Sequence, residues 1–138
     1  MCDGANCNSL CHEKKCGSQC TAALCQSKCF GEDCQSDCSG GICGAACNGK
    51  HCNSSCIGGT CSSDAIGVDA ISHCNGGTCN SHTKGNNTVA TCIGDVCQVK
   101  CSGKNCTATV SIDCLFLILC LNLVKIHYWT QAFPNECQ

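Results

Sequence analysis

Residues 61–74 read CSSDAIGVDAISHC, and this stretch decides how the chain folds. From Cys2 to Cys61 a cysteine recurs every four or five residues, but here Ala65 and Ala70 stand where two cysteines are expected. The next cysteine, Cys74, nevertheless arrives in phase. Because the spacing survives the loss of the cysteines themselves, it indicates a structural repeat.

The repeat has a period of nine residues, C-x-G-x-x-C-x-S-x, and twelve copies run from Cys2 to Thr109. Ten copies keep both cysteines, and one of the other two has Thr83 and Thr88 in their places. The third position is mostly glycine, which allows a sharp turn. The eighth position holds small residues, mostly serine, which predicts an interior too narrow for large side chains.

The missing cysteines show which cysteines are bonded. All four belong to two complete Cys-x4-Cys units, which independent loss would produce in about one arrangement in 160. Sequence alone does not usually give the connectivity, but cysteines that disappear in pairs are cysteines that pair. The predicted disulfides are Cys2–Cys7, Cys11–Cys16, Cys20–Cys25, Cys29–Cys34, Cys38–Cys43, Cys47–Cys52, Cys56–Cys61, Cys74–Cys79, Cys92–Cys97 and Cys101–Cys106.

The composition predicts an extracellular protein. Cysteine supplies 23 of 138 residues and aromatic residues only 4%, so cross-links must replace a hydrophobic core. Dense disulfides persist in oxidising compartments; the alternative is a cytosolic protein with reduced thiols. Because the repeat begins directly after Met1 without a secretory signal, we expect the sequence to be a mature form or a fragment.

The repeat predicts an all-β fold, a narrow disulfide-ladder β-solenoid with one nine-residue repeat per coil. Twelve coils at the spacing of neighbouring strands give a rod of about 55 Å. Residues 1–109 form this array in the prediction, and residues 110–138 form a second region. The alternative is an array of independent mini-hairpins that do not stack.

Residues 110–138 differ sharply in composition, with the only Trp and Tyr and three out-of-phase cysteines, Cys114, Cys120 and Cys137. Their apolar run is too short for a membrane span. We predict a hydrophobic C-terminal cap over the open end of the solenoid; the alternative is an unstructured tail without a native role. An odd number of cysteines leaves one thiol free or bonded to a partner.

Several function classes find no support. The net charge is −2 and arginine is absent, which argues against nucleic-acid binding. No catalytic or phosphate-binding motif occurs, so we predict neither enzyme activity nor a cofactor. We predict no metal site, because no two cysteines are closer than four positions. Asp64, His73 and His82 share the ninth repeat position, and we interpret them as surface residues.

At the C-x-G-x-x-C unit, residues 2–109 resemble the antifreeze proteins of chironomid midges. The resemblance implies a tight disulfide-braced solenoid and, through a tyrosine ladder at the fifth repeat position, binding to ice. Here the period is nine rather than ten, and the fifth position holds no tyrosine. The resemblance therefore covers the scaffold and not the ice-binding face.

The variable outer positions predict a non-enzymatic, secreted structural or interaction protein, a rigid rod that associates end to end. The alternatives are an ice-binding protein, with the ice surface as ligand, and a thiolate metal-binding protein. Charge or bulk interrupts every outer column of a nine-residue coil, which predicts weak or absent antifreeze activity. Glycosylation sequons occur at Asn53, Asn86 and Asn105.

Overall fold

A computed structural model describes the backbone of residues 2–121 and 124–128 and the side chains of residues 2–111. The described chain forms eight β-strands: β1 (Cys2–Cys11), β2 (Gly17–Phe30), β3 (Gln35–Asn48), β4 (Asn53–Ile66), β5 (Ile71–Lys84), β6 (Val89–Ser102), β7 (Cys106–Leu121) and β8 (Val124–Tyr128). No helix among the described residues is long and apolar enough to cross a membrane.

All eight strands belong to one sheet whose order follows the sequence, and every neighbouring pair is parallel. From β1 to β6 each residue lies beside the residue 18 positions later; Cys38, for example, pairs with Cys56. The chain is therefore a parallel β-solenoid with turns of about 18 residues, and the prediction of an all-β, disulfide-rich solenoid is confirmed.

The predicted one repeat per coil is wrong, because each turn contains two nine-residue repeats. Each repeat supplies one bend, between its two cysteines, and one straight stretch. A closed turn must reverse direction twice, so it needs two repeats. Residues 2–109 consequently form about six turns rather than twelve, and their height is about 29 Å rather than 55 Å.

The two bends of each turn lie on opposite edges of the solenoid and differ in backbone conformation. The first edge contains the bends at residues 2–7, 20–25, 38–43, 56–61, 74–79 and 92–97, and we call it the six-bridge edge. The second contains the bends at residues 11–16, 29–34, 47–52, 65–70, 83–88 and 101–106, and we call it the four-bridge edge. Strands run through the six-bridge edge and end at the four-bridge edge.

Glycine allows close stacking of turns at both edges, and at the four-bridge edge it also supplies an unusual backbone conformation. At the four-bridge edge Gly103 has φ of 135°, a conformation that side chains disfavour. Two residues later the chain enters the left-handed region, with φ of 53–56° at Lys15, Asp33, His51, Asp69, Asn87 and Asn105. At the six-bridge edge Gly58 has no positive φ, but a Cβ there would collide with the carbonyl oxygen of Gly40. A Cβ on Gly103 would likewise collide with the carbonyl oxygen of Gly85, so close stacking of turns requires glycine at both edges.

The interior contains one row of small side chains along the solenoid axis, as the small residues at the eighth repeat position predict. Ser27 Oγ donates to the carbonyl oxygen of Ser18 at 2.6 Å, and the pattern recurs nine residues later and again between residues 54 and 81. Val99 is the largest fully buried side chain among the described residues. Each buried polar side-chain atom described has a hydrogen-bond partner, so the narrow core is polar and satisfied.

The backbone beyond residue 109 continues the solenoid. β7 crosses residue 109 without a break, and β8 pairs with its beginning, Cys106 beside Val124. A register irregularity between Gly94 and Val96 accommodates an inserted residue of β7. The division at residue 109 and the hydrophobic cap stay predictions. The side chains beyond residue 111, including the three out-of-phase cysteines, lie outside the described part, as does the backbone of residues 129–138.

Candidate functional site

Two ladders of disulfides run along the solenoid, one at each edge. Residues 2–111 contain ten bridges, each between cysteines five positions apart with Cα–Cα distances of 5.8–6.2 Å. We call each bridge, or the pair that replaces it, a rung. The six-bridge ladder is continuous: Cys2–Cys7, Cys20–Cys25, Cys38–Cys43, Cys56–Cys61, Cys74–Cys79 and Cys92–Cys97. The four-bridge ladder contains Cys11–Cys16, Cys29–Cys34, Cys47–Cys52 and, after a gap, Cys101–Cys106.

The gap in the four-bridge ladder consists of two adjacent rungs. Ala65 and Ala70 form one and Thr83 and Thr88 form the next, and all four side chains are fully buried. The threonine hydroxyls contact the following bridge, with Thr88 Oγ1 2.9 Å from Cys106 Sγ. The two substituted units are 18 residues apart in the sequence, and this separation is the signal that could have revealed the length of the turn.

The 18-residue turn sorts charge between the edges. Residues 2–9, 20–27, 38–45, 56–63, 74–81 and 92–99 follow the six-bridge edge, and their only charged members are Asp3 and Asp95. The other Asp, Glu and Lys residues of positions 2–109 lie elsewhere in the turn. A nine-residue coil would have superposed both halves of the turn and mixed these charges.

An uncharged column of exposed side chains follows the six-bridge edge. Leu24, Ile42, Thr60, Thr78 and Val96 are stacked in register from β2 to β6. Ile42 is 57% exposed and Val96 44%. A nine-residue coil would place Asp69 between the two threonines, but in the 18-residue turn Thr60 lies directly beside Thr78 and Asp69 lies on the four-bridge edge. A regular column without charge therefore exists where the sequence predicted interruptions.

A groove of about 530 Å³ lies beside the first part of this column. Its walls are formed by β1, β2 and β3, with Leu24 and Ile42 on one side and Asn8 and Gln26 on the other. No charged residue lines it. The six-bridge edge thus combines apolar and amide groups in one accessible strip.

The four-bridge edge instead carries ion pairs between successive turns. Lys14 Nζ donates to Glu32 Oε2 at 2.6 Å; this hydrogen bond and the charge of Lys14 lower the pKa of Glu32, and Glu32 likewise raises the pKa of Lys14. His51 lies between two carboxylates, with Nδ1 3.0 Å from Asp33 and Nε2 3.6 Å from Asp69. All these groups are substantially exposed, which limits the stability that each pair adds.

The structure brings together two of the three residues at the ninth repeat position. Asp64 Oδ1 lies 3.3 Å from His82 Nδ1, since these residues are 18 positions apart. His73 lies half a turn from both residues, beside Ser55 in the sheet, and is not part of this pair. The expected column of three is wrong for the same reason as the coil length.

Within residues 2–111, three groups of cysteine sulfurs have the proximity of metal ligands. Within each group all sulfurs lie within 4.8 Å of one another: Cys11, Cys16 and Cys29; Cys25, Cys38 and Cys43; and Cys79, Cys92 and Cys97. Each group contains a disulfide, and metal binding requires thiolates. These groups could hold a soft metal ion only after reduction.

The three sequon asparagines, Asn53, Asn86 and Asn105, are exposed. Asn105 adopts the left-handed conformation and donates its side-chain amide to Asn87 Oδ1 at 3.1 Å. Glycosylation at these asparagines stays a prediction.

No protein-family model matches the chain, and neither the curated proteins nor the solved structures contain a match. The resemblance to chironomid antifreeze proteins consequently stays a resemblance of sequence motif.

Proposed function

We propose that this protein is a non-enzymatic, secreted structural rod that associates end to end through its first strand. The observation that carries the proposal is the position of β1. Among the described strands it is the first of the sheet that runs the length of the solenoid, and β2 is its one partner. Its other side presents unpaired backbone N–H and C=O groups, which are a template for another strand.

The first turn has features that suit such a contact. Leu10 is 60% exposed, and a Cβ placed on Gly4 would meet no atom within 4 Å. In later turns the equivalent glycines are closely covered by the turn before them. The space beside Gly4 is therefore the space that another stacked turn would occupy. A copy that offers its last turn to β1 makes a head-to-tail contact, and such contacts produce open filaments.

The disulfides support the extracellular and mechanical parts of the proposal. Ten bridges in one small domain require an oxidising environment. Bends fixed by short covalent loops lose little further conformational entropy when two rods meet, which favours association.

The proposal is tested by measuring molar mass with light scattering over a wide range of protein concentration. We expect mass to rise with concentration, and Ser9→Lys in β1 to abolish the rise by placing a charge at the interface. Ser55→Lys in β4 is the control for the added charge, because Ser55 is also half-buried but lies at an outer position away from either end. A wild-type protein that stays monomeric at every concentration would contradict the proposal.

Ice binding is the second candidate, and the column from Leu24 to Val96 favours it. Stacked strands repeat about every 4.8 Å, so this column is regular and uncharged. Thermal hysteresis measurements distinguish the candidates. Hysteresis in a monomeric protein that Thr60→Lys abolishes, and that Val68→Lys on the four-bridge edge preserves, would replace the structural role with ice binding.

Thiolate metal binding, the third candidate, is supported by the three sulfur groups alone. Native mass spectrometry before and after reduction tests it. Metal bound to the protein as isolated, with free thiols in place of bridges, would favour this candidate over the disulfide rod.

A further inference from the structure

The sulfurs of neighbouring rungs lie close to one another along both ladders. The sulfur of Cys25 lies within 4.8 Å of both sulfurs of the next bridge, Cys38–Cys43. At the four-bridge edge Cys16 Sγ lies 3.6 Å from Cys29 Sγ. In both cases the second cysteine of one rung faces the first cysteine of the next.

The same placement recurs along the entire six-bridge ladder. The first sulfur of each later rung packs against the carbonyl oxygen of the second cysteine before it. These Sγ–O distances are 3.2 Å for Cys20, 3.3 Å for Cys38 and Cys56, 3.4 Å for Cys74 and 3.5 Å for Cys92. At every step of the six-bridge ladder the first cysteine of a rung therefore lies against the second cysteine of the rung before it, and the sulfurs themselves lie within 4.8 Å at Cys25–Cys38 and Cys79–Cys92.

Solvent reaches this path at its first rung. Cys2 is half-buried, whereas each cysteine from Cys20 to Cys97 in the six-bridge ladder is at most 3% exposed. Thiol–disulfide exchange requires that the attacking thiolate reach a sulfur. A reductant in solution consequently meets Cys2–Cys7 before it meets the rungs behind it.

We propose that the six-bridge ladder relays thiol–disulfide exchange from its first rung to its last. A small dithiol in solution reduces Cys2–Cys7, so that its two thiols become a disulfide and both cysteines become thiols. The Cys7 thiolate then attacks Cys20 Sγ, a Cys7–Cys20 bond forms, the Cys20–Cys25 bond breaks, and Cys25 leaves as the thiolate. Cys25 attacks Cys38 in the same way, so each step moves one thiolate forward and conserves the number of disulfides.

The endpoint has a different connectivity from the starting state. Cys2 and Cys97 become the two thiols, and five bridges join neighbouring turns: Cys7–Cys20, Cys25–Cys38, Cys43–Cys56, Cys61–Cys74 and Cys79–Cys92. Reducing equivalents thus travel about 24 Å, the height of five strand spacings, through a buried path. Intermediate stages have thiols at Cys2 and at the second cysteine of an inner rung.

The four-bridge ladder stops the same reaction. Exchange that begins at Cys11–Cys16 ends at Cys52, because the alanine and threonine rungs offer no sulfur. The next bridge, Cys101–Cys106, lies three strand spacings away, about 14 Å. The six-bridge ladder therefore allows exchange along its whole length, and the four-bridge ladder does not. The four-bridge ladder is thus an internal control for the relay.

The test is partial reduction of the native protein with less than one equivalent of dithiothreitol, followed by an acid quench that stops exchange, unfolding and alkylation at acid pH, and mass-spectrometric mapping of alkylated cysteines and bridges. We expect molecules alkylated at Cys2 and at one later second cysteine, such as Cys61 or Cys97, with bridges between residues 13 apart. If both alkylated cysteines always belong to the same rung, the proposal is overturned. Circular dichroism of the partially reduced sample before the quench establishes that exchange took place in folded molecules.

A variant of the six-bridge ladder sharpens the test. Cys56→Ala with Cys61→Ala reproduces at the fourth rung the substitution that occurs naturally at Ala65 and Ala70. We expect it to remove alkylation of Cys79 and Cys97 while alkylation of Cys43 remains. Alkylation of Cys97 that persists together with that of Cys2 would contradict a relay through the rungs. The wild-type mapping decides the matter by itself if the variant does not fold.

Discussion

Ala65 lies directly beside Thr83 in the pairing of β4 with β5. The two rungs without cysteine are therefore neighbours on one ladder, and the opposite ladder keeps every bridge. The four missing cysteines, whose loss in pairs indicates the connectivity, thus belong to two adjacent rungs. One edge of the rod is braced throughout, and the charged edge has a stretch held by packing and hydrogen bonds alone.

Restoring the alanine rung should stabilise the protein. We expect Ala65→Cys with Ala70→Cys to form an eleventh bridge, because both residues occupy a rung that lies directly beside the Cys47–Cys52 bridge. Closing so short a loop should raise the free energy of unfolding by about 2 kcal/mol. Intact mass shows whether two hydrogens are lost, and denaturant unfolding gives the free energy. Ala65→Cys alone is the control, and a double variant that keeps two free thiols would show that the rung geometry is not preserved.

The serine file in the interior should be sensitive to loss of a hydroxyl. Ser63 Oγ donates to the carbonyl oxygen of Ser54 at 2.9 Å and lies 3.0 Å from Ser54 Oγ. Ser63→Val removes this partner of Ser54 and should cost about 1–3 kcal/mol. Ala45→Ser is the matched control, since it inserts a hydroxyl between two existing serine runs and should be nearly neutral. Equal stability of Ser63→Val and the wild type in denaturant would contradict the hydrogen-bonded file.

The left-handed residue at each four-bridge bend should accept glycine with a gain in stability. Lys15 has φ of 56°, and the left-handed conformation costs a residue with a side chain about 1–2 kcal/mol. Glycine avoids that cost but loses more entropy on folding, so Lys15→Gly should stabilise the protein by up to about 1 kcal/mol. Ala23→Gly, at an exposed position without positive φ, should destabilise it instead. A loss of stability in both variants would argue against the left-handed bend.

Asp37 should make stability depend weakly on pH. Partial burial raises the pKa of its carboxyl above the ordinary 3.8, and the hydrogen bond from Gln35 partly opposes this. The folded state therefore holds the proton more tightly, and this contribution to stability is lost as pH rises through the raised pKa. At neutral pH the Asp37→Asn variant should be more stable than the wild type by about 0.5 kcal/mol or less. At about pH 3 the variant should have no such advantage.

Gln35→Ala is the companion to that variant. Without the amide donor the pKa of Asp37 should rise further, and stability at neutral pH should fall. Titration of the Asp37 carboxyl by NMR, together with unfolding at both pH values, measures the two effects. An advantage of Asp37→Asn that persists at the acid pH would exclude ionisation of Asp37 as its cause.

The sequence was sufficient to predict the secondary-structure class, the repeat and the narrow interior. These follow from column composition: cysteine, glycine and serine recur at fixed positions because each contacts its equivalents in other repeats. The length of the turn could not be read in this way, because two bends with the same Cys-x4-Cys pattern look alike in sequence. Their difference lies in backbone conformation: residues with side chains, such as Lys15 and Asn87, have positive φ at the four-bridge edge, and none of the described ones does at the six-bridge edge.

The sequence-based prediction of the candidate site was wrong for the same reason, because the length of the turn was ambiguous. With a nine-residue coil, Asp69 interrupts Thr60 and Thr78, and His73 joins Asp64 and His82. With an 18-residue turn the threonines are stacked, Asp69 moves to the opposite edge, and only Asp64 and His82 meet. Surface columns depend on the period far more than buried columns do, because every buried position recurs in both halves of the turn.

The 18-residue turn is the geometric basis of both ladders, of the uncharged column and of the relay. It is tested most directly by pulsed dipolar electron paramagnetic resonance between nitroxides introduced through noncanonical residues at positions 24 and 96. Both positions are exposed and belong to one column. Four turns predict a backbone separation of about 19 Å. A separation of about 38 Å, as eight nine-residue coils would give, would contradict the two-repeat turn.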